Sequence, residues 1–403
     1  MKIVLVLLLL ASSFSFAQTP KTAKPKPKVT KQAPANPEYQ LAEQPTVSTE
    51  RIFGDLEIVA TFDGPMPTGV TVSHTGRIFV NFPRWGDKVD YTVAEVVDGK
   101  TVPYPNAEVN KTEKKKPQDA LVSVQSVVID PQDRLWILDT GSPMFQRPQP
   151  GGAKLIGVDL NTNQIFKTIS FARDVVLSTT YLNDVRFDLR RGKAGMAFIT
   201  DSSSNGTNAI IVVDLDSGQS WRRLNDHPAT KADPHFQPFV EGEPMLLRLP
   251  KQKPKKQLFG ADGIAISPDG RTLYFCPLSS RDLFSVSVDD LADQQVTENE
   301  VSGAVRDLQQ KGASDGMETD QEGRLYYGDY ENDSIRRRNL DGSYELIAHD
   351  PRIQWPDTLS VTDGYLYFTA NQLHRQPNYH DGKDLRQKPY VLFRIKIDGH
   401  RIK

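Results

Sequence analysis

The sequence predicts an all-β fold, a six-bladed β-propeller with four-stranded antiparallel blades whose last blade is closed by an N-terminal strand. Three observations predict it. A strand, tight turn, strand pattern recurs six times, and further strands with a shared ending follow several of the copies. One strand stands unmatched before the first copy, while the last copy has three strands and then runs out of chain. A lone hairpin cannot bury its faces, so repetition is what supplies the core.

In chain order, Met1 and Lys2 precede an apolar run from Ile3 to Leu10, and small residues follow up to Ala17. A charged start, a short apolar middle and a small-residue end make a secretory signal, so residues 1–17 are expected to be removed on export to the periplasm or the cell exterior. The run falls well short of the ~20 residues that span a bilayer, which argues against a membrane anchor. Residues 18–50 are rich in Lys, Pro, Ala, Gln and Thr. Such a segment has too little apolar surface to offset its ordering entropy and is expected to be a disordered tether. The propeller is assigned to residues 51–403.

Leu56 to Phe62 alternates apolar positions as a strand does. The six copies then begin near Thr68, Gln125, Asn183, Asp262, Asp315 and Asp357, roughly 40–80 residues apart, a blade length with room for insertions. The clearest copy runs from Gly260 to Phe275: Ile264 and Ile266 alternate, Pro268-Asp269-Gly270 has turn chemistry, and Leu273-Tyr274-Phe275 resumes a β-rich run. Third strands follow at Leu155–Leu160, Ile210–Leu215 and Ile335–Leu340. In the last blade Val391–Ile397 is the third strand, and the early strand at 56–62 is expected to add the fourth and remove the open edges. Longer connections fall at about 98–120, 223–259 and 371–389, two of them with lysine runs. Trp136, Tyr274, Tyr326 and Tyr367 share one strand position and are expected to wedge between blades.

Composition narrows the function. The formal net charge is -2 and no basic reading helix is present, which argues against nucleic-acid partners. Cys276 is the only cysteine, so no intramolecular disulfide can form; on an inner strand with no adjacent histidine it is expected to be buried and inert. The seven histidines are scattered; His374 and His380 lie in the long loop of the last blade, from which they face either the channel mouth or solvent. A monomeric ring is expected.

The sharpest chemical signal is a polar residue at the same place in all six copies: Thr68, Gln125, Asn183, Asp262, Asp315 and Asp357. Innermost strands surround the axis of a propeller, so these positions fall on a ring around one mouth of the channel. Converging carboxylates repel unless a cation, a proton or donor groups compensate. Oxygen-only ligation by three carboxylates and an amide, Asp262, Asp315, Asp357 and Asn183, suits calcium, magnesium or manganese better than zinc. The alternative is that these residues only begin strands, with Asp-Gly as turn chemistry.

Several stretches carry a family resemblance: Arg77-Ile78-Phe79-Val80 with Pro83-Arg84-Trp85, Val124-Gln125-Ser126-Val127 with Leu135-Trp136-Ile137-Leu138-Asp139-Thr140-Gly141, Ser220-Trp221-Arg222, and Gln354-Trp355-Pro356-Asp357-Thr358-Leu359. Over about 55–397 the chain resembles the yellow and major royal jelly protein family. The resemblance implies a secreted six-bladed propeller with a small-molecule pocket at one end of its channel. Some members are associated with dopachrome conversion and others bind biogenic amines. Asn371 matches the family's ligand-contacting Asn. The chain is more distantly similar to gluconolactonase and regucalcin propellers, which hold a divalent metal on the axis. Asn183-Asp184, Asp262-Gly263 and Asp315-Gly316 sit where that group has its Asn, Asn and Asp ligands, but Thr68 stands in place of its Glu and Asp262 in place of an Asn.

The expectation that follows is a ligand-binding propeller of the yellow type, with Asn183, Asp262, Asp315, Asp357 and Asn371 around an amine or quinone-like ligand. If it is catalytic, Asp262, Asp315 and Asp357 are the candidate bases for an isomerisation. A metal-dependent lactone hydrolase and a non-catalytic structural propeller are the alternatives.

Overall fold

Alternating apolar residues followed by a residue at positive φ, a glycine in five blades and Asp133 in the second, make each blade start as a hairpin. Gly76, Gly270, Gly323 and Gly364 all adopt positive φ at this first turn, a conformation costly for other residues. In the computed structural model, which describes residues 51–113 and 115–403, six such hairpins extend into six four-stranded antiparallel sheets. The innermost strands are Val70–Val72, Val124–Ile129, Leu182–Asp188, Ala261–Ile266, Ser314–Thr319 and Pro356–Thr362. Each packs against the innermost strands of both neighbours, so blades 1 to 6 close into a ring. The expected six-bladed propeller is the fold.

Closure is made as the unmatched strand foretold. Glu57–Phe62 pairs antiparallel with Tyr390–Lys396, and the sixth sheet runs, from outside in, through these two strands, Tyr365–Ala370 and Pro356–Thr362. Arg394 fastens the seam, ion-paired to Glu57 at 2.6 Å and lying over the Tyr365 ring. The signal and tether assigned to residues 1–50 lie outside the described residues.

The core lies between blades rather than at one centre. Trp136 of blade 2 stacks on Phe187 of blade 3 at 5.1 Å, and Cys276 of blade 4 is fully buried with its Sγ 4.0 Å from Met317 Sδ of blade 5. Trp136, Tyr326 and Tyr367 are buried as the wedge reading requires, while Tyr274 is half-buried.

Two connections differ from the sequence expectation. The segment read as a connection from 98 onward contains the fourth strand of blade 1, Lys100–Pro103, reached through Asp98 and Gly99, both at positive φ. This is the Asp-Gly hairpin turn whose twist matches the flanking strands. The segment 223–259 carries a small hairpin, Phe239–Val240 with Glu243–Pro244, that leans on the long loop of blade 6 through Glu241. An insertion within blade 4 adds two short helices, Val288–Ala292 and Glu298–Ala304, the second opened by a capping box at Thr297.

Candidate functional site

The polar column has a backbone cause. In five of the six innermost strands the pairing register breaks at the same place, between Val124 and Ser126, Leu182 and Val185, Ala261 and Ile264, Ser314 and Met317, and Pro356 and Leu359. A bulge frees its residues from the ladder and re-aims their side chains. The residues so freed are Gln125, Asn183-Asp184, Asp262-Gly263, Asp315-Gly316 and Asp357-Thr358. In blade 1 Thr68 and Gly69 stand at the equivalent place, and Asn81 Nδ2 donates to Thr68 Oγ1 at 2.8 Å.

The glycines of this column are not turn residues. Gly263 and Gly316 have no positive φ, and a Cβ on either would meet the backbone carbonyl oxygen of the next blade at 2.4 Å, Asp315 O and Asp357 O respectively. The inner ring is that tight. Gly316→Ala is therefore expected to destabilise the protein by about 2 kcal/mol or more through overpacking, seen as a lower denaturant midpoint, whereas Gly303→Ala, with nothing near its Cβ site, serves as the control.

Asn183, Asp262 and Asp315 come together in one cavity at the channel mouth, with about 90 Å³ of room for the centres of water molecules. Asp357 and Asn371 are brought together too, but below it: Asn371 is fully buried, its Nδ2 donates to Asp357 Oδ2 at 2.7 Å and its Oδ1 accepts from the Leu373 N–H. Further down the axis Asp184 is neutralised by Arg186 at 2.9 Å, which also lies 3.4 Å from Glu318. That ion cluster floors the site.

Burial dominates the electrostatics. It pushes the Asp262, Asp315 and Asp357 carboxyls upward, and their mutual repulsion adds to the shift of Asp262 and Asp357. Asp315 rises only to about 6, because Trp355 Nε1–H donates to its Oδ2 at 2.9 Å and the Asp262 carboxyl hydrogen-bonds to it. The consistent arrangement is a protonated Asp262 donating to an ionised Asp315, one negative charge on a shared-proton pair. Among the described residues no group of three or more His, Cys, Asp or Glu side chains is placed to hold a metal ion.

Above this pair stand aromatic rings supplied by loops at the same end of the ring. Trp85 Nε1–H donates to Tyr181 Oη at 2.7 Å, and Tyr181 in turn donates to Gln125 Oε1. Tyr330 stacks on Trp355 at 4.2 Å and 10°, and Phe145 stacks on Trp85 at 4.8 Å. Burial raises the Tyr181 and Tyr330 phenols, so both stay neutral. His374 backs the box: it is buried, its ring lies nearly parallel to Trp355 at 6.1 Å, and Glu241 takes its Nε2 at 3.0 Å. Half-buried His380 reaches only the His374 carbonyl. Repeat reasoning missed most of these rings because they lie outside the strands. One signal was present: Tyr181, Phe259 and Trp355 stand one or two residues ahead of three innermost strands.

Comparison with known proteins agrees with this architecture. Similar proteins include major royal jelly protein 7 of Apis mellifera, 27% identical over 249 residues that cover 57% of this chain and 52% of that one. Another is the protein yellow of Drosophila guanche, 27% identical over 248 residues, 58% of this chain and 41% of that one. The chain spans about half the length of the curated relatives it matches. Among solved structures, a regucalcin of Agrobacterium tumefaciens described as calcium-binding superposes with a TM-score of 0.51 at 14% identity, covering 86% of this chain and 96% of that one. A luciferin-regenerating enzyme does so with a TM-score of 0.52 at 12% identity, covering 87% and 100%. At such identities these two show the fold alone. Residues 122–396 match the family described as major royal jelly protein, and the chain belongs to that family.

Proposed function

We propose that this protein is an exported binding propeller for a small aromatic or quinone-like ammonium compound, held at the mouth of the channel. The observation that carries the reading is one cavity lined both by aromatic side chains, Trp85, Phe145, Tyr181, Tyr330 and Trp355, and by the buried carboxyls of Asp262 and Asp315. Ring faces attract a cation, and a desolvated carboxylate gives it a specific partner. Asn183 and Gln125 add neutral polar groups at the same level. The pair also suits a proton shift: ionised Asp315 takes a proton from the substrate while Asp262 supplies one elsewhere, as isomerisation of a quinone-like compound requires.

Calorimetric titration with tyramine and with the isosteric neutral phenol 4-propylphenol tests the reading. Binding of the amine but not of the neutral phenol is expected, and equal affinities would overturn it. Metal analysis of the purified protein, with titrations repeated in chelator, separates it from the divalent-ion alternative at Asn183, Asp262 and Asp315: amine binding is expected to be indifferent to chelation. A co-purifying ion whose removal abolishes binding or lactone hydrolysis would favour that alternative.

A further inference from the structure

We propose that the hydroxyl-lined recess beside the aromatic box is a second ligand subsite, one that takes an oxyanion carried on the end of the ligand opposite its ammonium group. The inference rests on the amine reading above and names the other half of the molecule. The recess has about 100 Å³ of room for the centres of water molecules, several times the roughly 10–15 Å³ that one water needs. It shares the rings of Phe145, Tyr181 and Phe259 with the box, so the two spaces are separated by no more than those side chains.

The chemistry of the recess is opposite to that of the box. Its lining is hydroxyl and amide, from Thr179, Ser203, Ser204 and Asn205, with the guanidinium of Arg147. Arg147 has no carboxylate partner among the described residues. Buried Ser203 accepts the Asn205 N–H at its Oγ, which leaves its own proton to donate. Asp201, behind Thr180 and Tyr181, does not repel an anion here, since Arg222 at 2.9 Å, the Thr180 hydroxyl at 2.8 Å and the Tyr181 N–H already take its oxygens. Arginine with hydroxyl donors is the usual way to hold a sulfate, phosphate or carboxylate.

A backbone feature marks the boundary. Met144 and Phe145 are consecutive non-glycine residues in the left-handed region, at φ 56° and 54°. Residues held in such conformations cluster where a ligand site needs them. Here the turn sets the Phe145 ring between Trp85 at 4.8 Å and Tyr181 at 4.9 Å, with its outer part exposed. Phe145 thus forms the partition past which a rod-shaped ligand lies, ammonium at Asp315 and oxyanion at Arg147.

The test compares tyramine, tyramine O-phosphate, tyramine O-sulfate and phenyl phosphate by calorimetry on the wild type, Arg147→Ala and Asp315→Asn. A gain of about tenfold in affinity is expected for either O-ester over tyramine, lost in Arg147→Ala while tyramine itself binds unchanged. The two esters show whether phosphate or sulfate is preferred. An absent gain, or one that survives Arg147→Ala, overturns the subsite and leaves the amine reading standing. If tyramine fails to bind while phenyl phosphate binds in an Arg147-dependent way, the amine reading falls and the anion subsite stands. Failure of all four compounds removes both.

Discussion

Asp315→Asn is expected to weaken binding of an aromatic amine by 100-fold or more and to leave the ring folded. The carboxylate is the one group at the cavity whose charge can face a buried cation, since Asp262 is held protonated beside it and Asp184 is already taken by Arg186. Leaving a buried charge without its partner costs about 3–5 kcal/mol, which at ~1.4 kcal/mol per decade is more than two orders of magnitude in Kd. The wild type carries its own control in its pH dependence. The Asp315 carboxyl titrates at about 6, so affinity should climb as pH rises toward that value and flatten above it. Below it, roughly tenfold should be lost per pH unit, because the competing proton must be removed before the cation binds. Titrations at pH 5, 6, 7 and 8 measure both effects. A variant whose residual binding still rises with pH would place the titrating group elsewhere.

Sequence reasoning reached the ring and the polar column because both follow from periodicity. The alternation at Ile264 and Ile266, the glycine turns and the unpaired strand at 56–62 are local signals that the fold obeys. What periodicity did not give was the cause of the column. Asp262-Gly263 and Asp315-Gly316 read as turn chemistry or as ion ligands; in place of a turn, each forms a bulge whose glycine admits the neighbouring blade's backbone. That contact joins residues of different blades, and no local pattern encodes it. The same limit applies to the box. Trp85, Tyr181, Tyr330 and Trp355 come from distant parts of the chain, and they meet only because the ring closes. Asn371 shows the converse: a family resemblance marked it as ligand-contacting, while its hydrogen bonds make it the support of Asp357, one layer beneath the cavity.

The substitution that removes binding is also expected to stabilise the free protein, by about 3 kcal/mol at pH 7. A buried carboxyl whose folded pKa of about 6 lies above its unfolded value of about 3.9 binds more protons in the folded state between those two pH values. Its contribution to stability is fully present below about pH 4 and is lost as pH rises through about 6. The gap of roughly two pH units between the folded and unfolded values, at ~1.4 kcal/mol for each, gives the figure. Asn carries no charge to desolvate, and its carbonyl oxygen can still accept the Trp355 N–H that now bonds to Asp315 Oδ2. The difference in unfolding free energy between Asp315→Asn and wild type, from urea titrations, should therefore be near zero at pH 4 and rise to its full value by pH 7. Subtracting the two curves cancels the acid sensitivity of groups remote from the site and leaves that of Asp315 with the carboxyls it repels, Asp262 and Asp357, so a flat difference would mean that Asp315 does not carry the site's charge. A stability gain and a binding loss from one near-isosteric replacement would identify the carboxylate as a group kept ionised against the fold for the sake of its ligand, a combination that a purely structural strand-starting Asp does not produce.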